Sequence, residues 1–295
     1  MSTVAQLINR TQRQLLSGIV ESRNKLAVAI NSSVTTVTST YSLDSLRVGQ
    51  TFEIDSELFY IWAADAAAQS LTVERGWNGT TAVAHTINSI ITVNPRFPRN
   101  QIFEAFNDDL HDLAAPLNGL YRVKNLDISY NGHDAMINLN GASNVIDLLD
   151  VRLRYVSTDY PLIRKVSLVR NMPTSDFSSG LALKFSENTL AGSLRITYKT
   201  GFNPMVLEAD DVQTITGFPL SAEDVLILGA QIRLMTPREI KRNFTESQGD
   251  TRRADEVPPG AVTGSIANLQ RLRRERIAAE ATKLDSQYPV TLSRV

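Results

Sequence analysis

The spacing of apolar positions changes from helical to alternating and back along the chain, and those changes divide it. The two longest helical patterns lie in residues 221–285. Val225, Leu228, Ile232 and Met235 recur at helical spacing behind Ser221-Ala-Glu-Asp224, which reads as a capping box. Thr236-Pro-Arg-Glu239 repeats the start signal, so a kink or restart is expected at 236, with Ile240 and Phe244 continuing the stripe. Residues 247–261 are polar and broken by Pro258-Pro259-Gly260, the composition of a mobile connection. A second helix is predicted from about Ser265 to Asp285, with Ile266, Leu269, Ile277, Ala281 and Leu284 on one face. Arg271, Arg273, Arg274 and Arg276 crowd its middle against Glu275 and Glu280.

Upstream, Thr3-Val-Ala-Gln6 is a second capping box, and Val4, Leu7, Ile8, Thr11 and Leu15 predict a short amphipathic helix ending near Gly18. From Lys25 the period becomes two: LAVAI, TTVTST, TFEID, ELFYIW, SLTVERG and NSIITVNP read as short strands, suggesting a small barrel. Helical spacing returns at Ile102, Phe103, Phe106, Leu110 and Leu113, with Asn100 as the expected cap. Between about Leu120 and Lys199 more alternating strands follow, with Tyr130-Asn-Gly-His133 as a hairpin signal, and single apolar faces of this kind call for a sandwich. The predicted class is α+β: a helical bundle from 1–18, 100–118 and 205–285. A small β-barrel (19–99) and an antiparallel β-sandwich (119–204) would be inserted into it, and 286–295 would be a tail.

With 295 residues the chain can bury a sizeable core. Thirty basic and thirty-one acidic residues leave a net charge of −1, unlike proteins that hold nucleic acid by bulk attraction. There is no cysteine, hence no disulfide framework and no thiolate metal site. Neither a signal-type apolar region nor a run approaching a membrane span is present, so a soluble chain made in a cytosol is expected.

Candidate chemistry is sparse. His111 lies near Asp108 and Asp112, yet a transition-metal site needs more nitrogen or sulfur donors, and a polar helix face explains the trio. His85 and His133 read as turn or surface histidines. No serine sits in a nucleophile elbow, and no phosphate-binding loop or dinucleotide fingerprint occurs. Asp108-Asp109, Asp210-Asp211 and Asp55 with Glu57 are paired carboxylates, but nothing nearby predicts a raised pKa. Asn78-Gly-Thr80 reads as a turn rather than a glycosylation site. The expectation is no enzyme, no metal and no cofactor.

Charge is unevenly placed. Residues 151–200 hold eight basic residues against three acids, and Arg152, Arg154, Lys184, Arg195 and Lys199 fall in the polar phase of strands. A solvated sheet face explains this, and so does a basic patch for an acidic partner or passing phosphates. Residues 41–75 hold six acids against Arg47 and Arg75. One acidic and one basic lobe suit head-to-tail contacts between copies.

Leu71-Thr-Val-Glu-Arg-Gly-Trp-Asn-Gly-Thr-Thr-Ala-Val-Ala-His85, preceded by Val48-Gly49 and Ile54-Asp-Ser-Glu57, resembles a pattern of tailed-bacteriophage structural proteins, in which such a strand and turn close a little β-barrel. Gly76 and Gly79 permit positive φ there, Thr80 can bond the turn, and Arg75 and His85 can brace it. The helices at 221–246 and 262–285, with the tail Gln287–Val295, are similar in layout to head–tail connector (adaptor) proteins. That resemblance implies a virion protein assembled in a bacterial cytoplasm, at the head–tail junction, bridging portal protein and tail or stopper proteins. It implies a homo-oligomeric ring, a dodecamer in that family, through which double-stranded DNA passes without sequence-specific contacts. Arg271, Arg273, Arg274, Arg276, Tyr288, Leu292 and Val295 are the expected contacts with the portal or a neighbouring subunit. Two further readings remain: a minor tail or baseplate protein whose sandwich binds host glycan, and a polysaccharide-cleaving enzyme with two acids facing one cleft.

Overall fold

The computed structural model describes residues 2–114, 119–154, 159–187, 190–246, 261–290 and 292, the side chains of 237–246 and 261–263 excepted. Six strands come first: β1 (Arg23–Lys25), β2 (Thr36–Thr38), β3 (Thr51–Ile54), β4 (Glu57–Asp65), β5 (Ser70–Glu74) and β6 (Ile90–Val93). They form one antiparallel sheet in the order β1-β6-β3-β4-β5-β2. The two ends of that order meet, because Ala27 N donates to Thr38 O and Thr40 N to Lys25 O. The sheet therefore closes on itself and leaves no free edge along that seam. Alternation sends Phe52, Phe59, Ile61, Leu71 and Ile91 inward, with Phe52 and Phe59 stacked at 4.7 Å.

Two three-stranded sheets follow. One has the order β7 (Arg122–Tyr130), β12 (Gly192–Thr200), β9 (Val145–Arg154); the other β10 (Val166–Arg170), β11 (Leu181–Phe185), β8 (Met136–Asn138). They share one core, to which Leu148, Val151, Leu194 and Ile196 come from the first sheet and Ile137, Val166, Leu183 and Phe185 from the second. The Asn131-Gly132 turn is present but does not make the expected hairpin: β7 pairs with β12 and β8 with β11. Only Gly132 has positive φ there, and a Cβ on it would meet Ala191 N at 2.8 Å. The turn carries the chain from one sheet to the other.

The third core is helical. Helix α1 (Val4–Leu16) starts on the Thr3/Gln6 capping box, with both reciprocal bonds made, and stops at Ser17 and Gly18, both left-handed. Helix α2 (Arg99–Leu113), the single-turn α3 (Val212–Thr216), α4 (Glu223–Glu246) and α5 (Ala261–Gln287) complete it. Helix α4 is one continuous helix, so the restart expected at 236 is absent; Thr236 Oγ1 instead donates back to Ile232 O. It packs against α1, α2 and α5 together. That placement buries Val225, Leu226, Ile227 and Ala230, a wider face than the predicted stripe. The predicted connection at 247–261 lies outside the described residues, apart from Ala261, the first residue of α5.

The expectation of a helical bundle carrying two inserted β modules is overturned. The fold is mixed, about 30% helix and 30% strand, with twelve antiparallel strands and five helices among the described residues. The physical reason is burial. Each strand group encloses a complete core of its own, so the sheets are bodies equal in standing to the helices and do not lean on them for cover. No described helix is long and apolar enough to cross a membrane.

Candidate functional site

The motif strand delivers its residues into a buried ionic network. Arg75, at the end of β5, donates to Glu57 through Nε (2.7 Å) and Nη2 (2.8 Å), a fork-on-fork pair. Its remaining hydrogens go to the carbonyls of Asn31, Val34 and Val83, and its guanidinium lies 4.8 Å from the Phe59 ring centre. Glu57 also accepts from Gly76 N and Val83 N. His85 bridges Asp55 through Nδ1 and Glu57 through Nε2, each at 2.9 Å. Burial raises the Glu57 pKa, but bonds from Arg75, His85 and the two amides outweigh it and hold the carboxyl at about 2. Burial lowers the His85 pKa, and its two carboxylate partners more than reverse that, leaving it raised. His85 is thus interior, contrary to the turn or surface placement expected from sequence. Thr80 closes the turn, donating to Trp77 O and accepting from Leu58 N.

A second polar junction ties the barrel to the helices. Pro98, not Asn100, occupies the cap position of α2; Asn100 turns to Glu104 instead. Glu53 of β3 substitutes, accepting from Arg99 N at 2.6 Å. Burial dominates there and lifts the Glu53 pKa to about 8 despite that bond and the Arg99 charge. The Arg99 guanidinium continues to Asn9 of α1 and to Glu208, which Ser56 also reaches. Glu53, Arg99, Asn9 and Glu208 line a polar cleft of about 480 Å³ together with Arg13, Arg23 and Asp55.

The arginine run on α5 splits between two faces. Arg273 points inward and donates to Asp109 of α2 at 2.6 Å. Arg276 forks onto Asp224 at the start of α4 and reaches Ser221 O. Asp109 is 1% exposed and its Oδ2 has no hydrogen-bond partner; burial lifts its pKa to about 6, overriding Arg273 and Arg233. The raised pKa corrects the expectation of unperturbed acid pairs. Outward, Arg271 bonds Glu275 and Asn268 of its own helix, and Arg274 is exposed with no ion pair among the described residues. Tyr288 is exposed, Leu292 packs against the sandwich core, and Val295 lies outside the described residues.

The five basic strand residues do not form one surface. Register sets Arg195 directly between Asp127 of β7 and Arg152 of β9, with Arg154 two places along on the same exposed face. Lys184 belongs to β11 of the other sheet. Lys199 sits at the far end of β12, against Asp285 and 4.0 Å from the Tyr121 ring centre. His111, Asp108 and Asp112 gather no ligand set, as Arg233 takes both acids, and no metal-binding cluster occurs among the described residues. No protein-family model matches the chain, and no curated protein matches it in sequence.

Proposed function

We propose that the chain is a structural protein of a tailed-phage virion, an adaptor that forms a ring at the head–tail junction, between portal and tail, around the path of double-stranded DNA. The observation that carries this reading is how the chain uses its chemistry-bearing residues. His85, Glu57 and Arg75 hold one another inside the barrel wall, with exposed Asp55 on the second His85 nitrogen, in the stretch that resembles phage structural proteins. A general base must be within reach of a substrate proton; here both histidine nitrogens are already occupied by carboxylates. Such a network stiffens a turn. It is poorly placed to turn over a substrate.

Two features support a partner-facing role at the other end of the chain. Inward arginines fix α5 on the body, and its outer face offers Arg271, Leu272 and Arg274, leading to Tyr288. Arginine and tyrosine are enriched where proteins meet. Native mass and sedimentation of the chain, alone and mixed with its portal protein, test the reading. A closed ring on the portal is expected, and docking should be lost when 286–295 are deleted. Docking unchanged by that deletion would remove the tail from the interface, and a chain that never binds portal would refute the adaptor role.

A further inference from the structure

The outer wall of the barrel carries an aromatic group. The β4–β5 register slips between Ile61 and Ala63, so Trp62 is the extra residue of a bulge. Bulges re-aim side chains, and this one leaves Trp62 57% exposed. Its ring meets Tyr60 edge-on at 4.8 Å, and Tyr60 stacks on Trp77 at 4.6 Å. Glu74, directly opposite Tyr60, accepts from the Trp62 indole at 3.1 Å. Asp65 adds a second exposed carboxylate at the end of the same strand. Three aromatic rings with the Glu74 carboxylate among them make a surface that attracts guanidinium groups, by ring-face attraction and by charge.

The same chain carries the complement. On the outer face of the β7-β12-β9 sheet, Arg195 and Arg152 stand directly opposite each other, an arrangement that costs stability between like charges. Asp127 and Asp150 offset it in part, at 3.5 Å and 3.1 Å. Arg154, in the same row, has no ion pair among the described residues.

We infer that the Trp62–Tyr60–Trp77–Glu74 face of the barrel docks the Arg152–Arg154–Arg195 face of the sandwich of a second copy of this chain. The two faces differ, so the contact is head-to-tail and each copy keeps one of each free for the next. This rests on the ring reading above and names its lateral contact; the outer face of α5 is left for the portal.

Sedimentation velocity with two surface variants tests it. Trp62→Ala removes the aromatic anchor, and Arg154→Glu reverses a charge that makes no ion pair among the described residues. Both side chains are exposed, and unchanged thermal unfolding would verify the fold. Each variant alone should self-associate at least about thirtyfold more weakly than the unaltered chain, the scale of a lost interface anchor. An equimolar mixture should form dimers and nothing larger, because one intact pair of faces remains between the two variants. Assembly of both variants like the unaltered chain overturns the inference and leaves the ring reading standing. So does a Trp62→Ala variant that loses binding to a glycan or another protein while still self-associating. An unaltered chain that stays monomeric at every concentration also overturns it, and portal binding, measured separately, then judges the adaptor role.

Discussion

Gly229 on α4 sits where the Asp109 carboxylate arrives from α2. A Cβ at that position would lie 2.1 Å from Oδ2, and the carboxylate it meets is short, buried and held by Arg273 and Arg233. Gly229→Ala should therefore destabilise the protein by about 3 kcal/mol, the cost of overpacking a tight core, as read by denaturant titration. Glu57→Ala should cost about 3–5 kcal/mol in the same measurement, since it strands the Arg75 guanidinium, itself nearly buried. Glu53 gives a pH signature. Its folded pKa of about 8 stands above the ordinary carboxylate value, so its stabilising contribution is complete below that ordinary value and is lost as pH rises through 8. Glu53→Gln can still accept from Arg99 N and cannot ionise. Its melting temperature should match the unaltered protein near pH 5 and exceed it near pH 9. Glu53 and Asp109 are ordinary acids when read along the chain, because burial, the largest cause of their raised pKa values, is a property of the packed structure.

Among elements, legibility follows how local each interaction is. Helix α1 was readable because its capping box and its stop are made by neighbours in sequence. Strands such as β5 and β12 were readable because alternation marks their inward face. Ser221 and Asp224, however, carry the spacing of a capping box and serve another purpose. Ser221 Oγ donates to Glu280, Asp224 accepts from Arg276, and a short 3₁₀ turn at Leu220–Ala222 starts α4 instead. The α5 arginines likewise looked alike in sequence, and only packing separates inward Arg273 from outward Arg271. That separation predicts a contrast. Arg273→Ala leaves Asp109 buried without its closest cation, so amide exchange across 265–285 should quicken and stability should fall by several kcal/mol. Arg271→Ala breaks an exposed pair and should change stability by no more than about 0.5 kcal/mol.

At the scale of the whole molecule, patterning located the strand groups and the helices but misjudged their ranking. A repeat of apolar positions says that a segment buries a face; it does not say whether the cover comes from its own kind or from a neighbour. Here each strand group covers itself, and the three cores communicate through polar ties. Glu208 is central among them: its carboxylate receives Arg99 of α2 and Ser56 of the barrel, and its carbonyl receives Ala5 N of α1. Glu208→Ala should split thermal unfolding of the barrel from that of the helices, visible by calorimetry as a second transition. A single transition, merely shifted, would mean that apolar contact rather than this tie couples them.

The position of α5 has a consequence for how the chain is made. Barrel strands span 23–93 and sandwich strands 122–200, so each can close as soon as its own stretch has left the ribosome. Helix α1 emerges before either, yet it packs on α4, and α2 must hold Asp109 ready for an arginine translated 164 positions later. The first helix of the chain waits for the fourth, and the second for the fifth. A nascent chain stalled before residue 220 should already resist protease across its sheets while residues 4–16 and 99–113 are still cut.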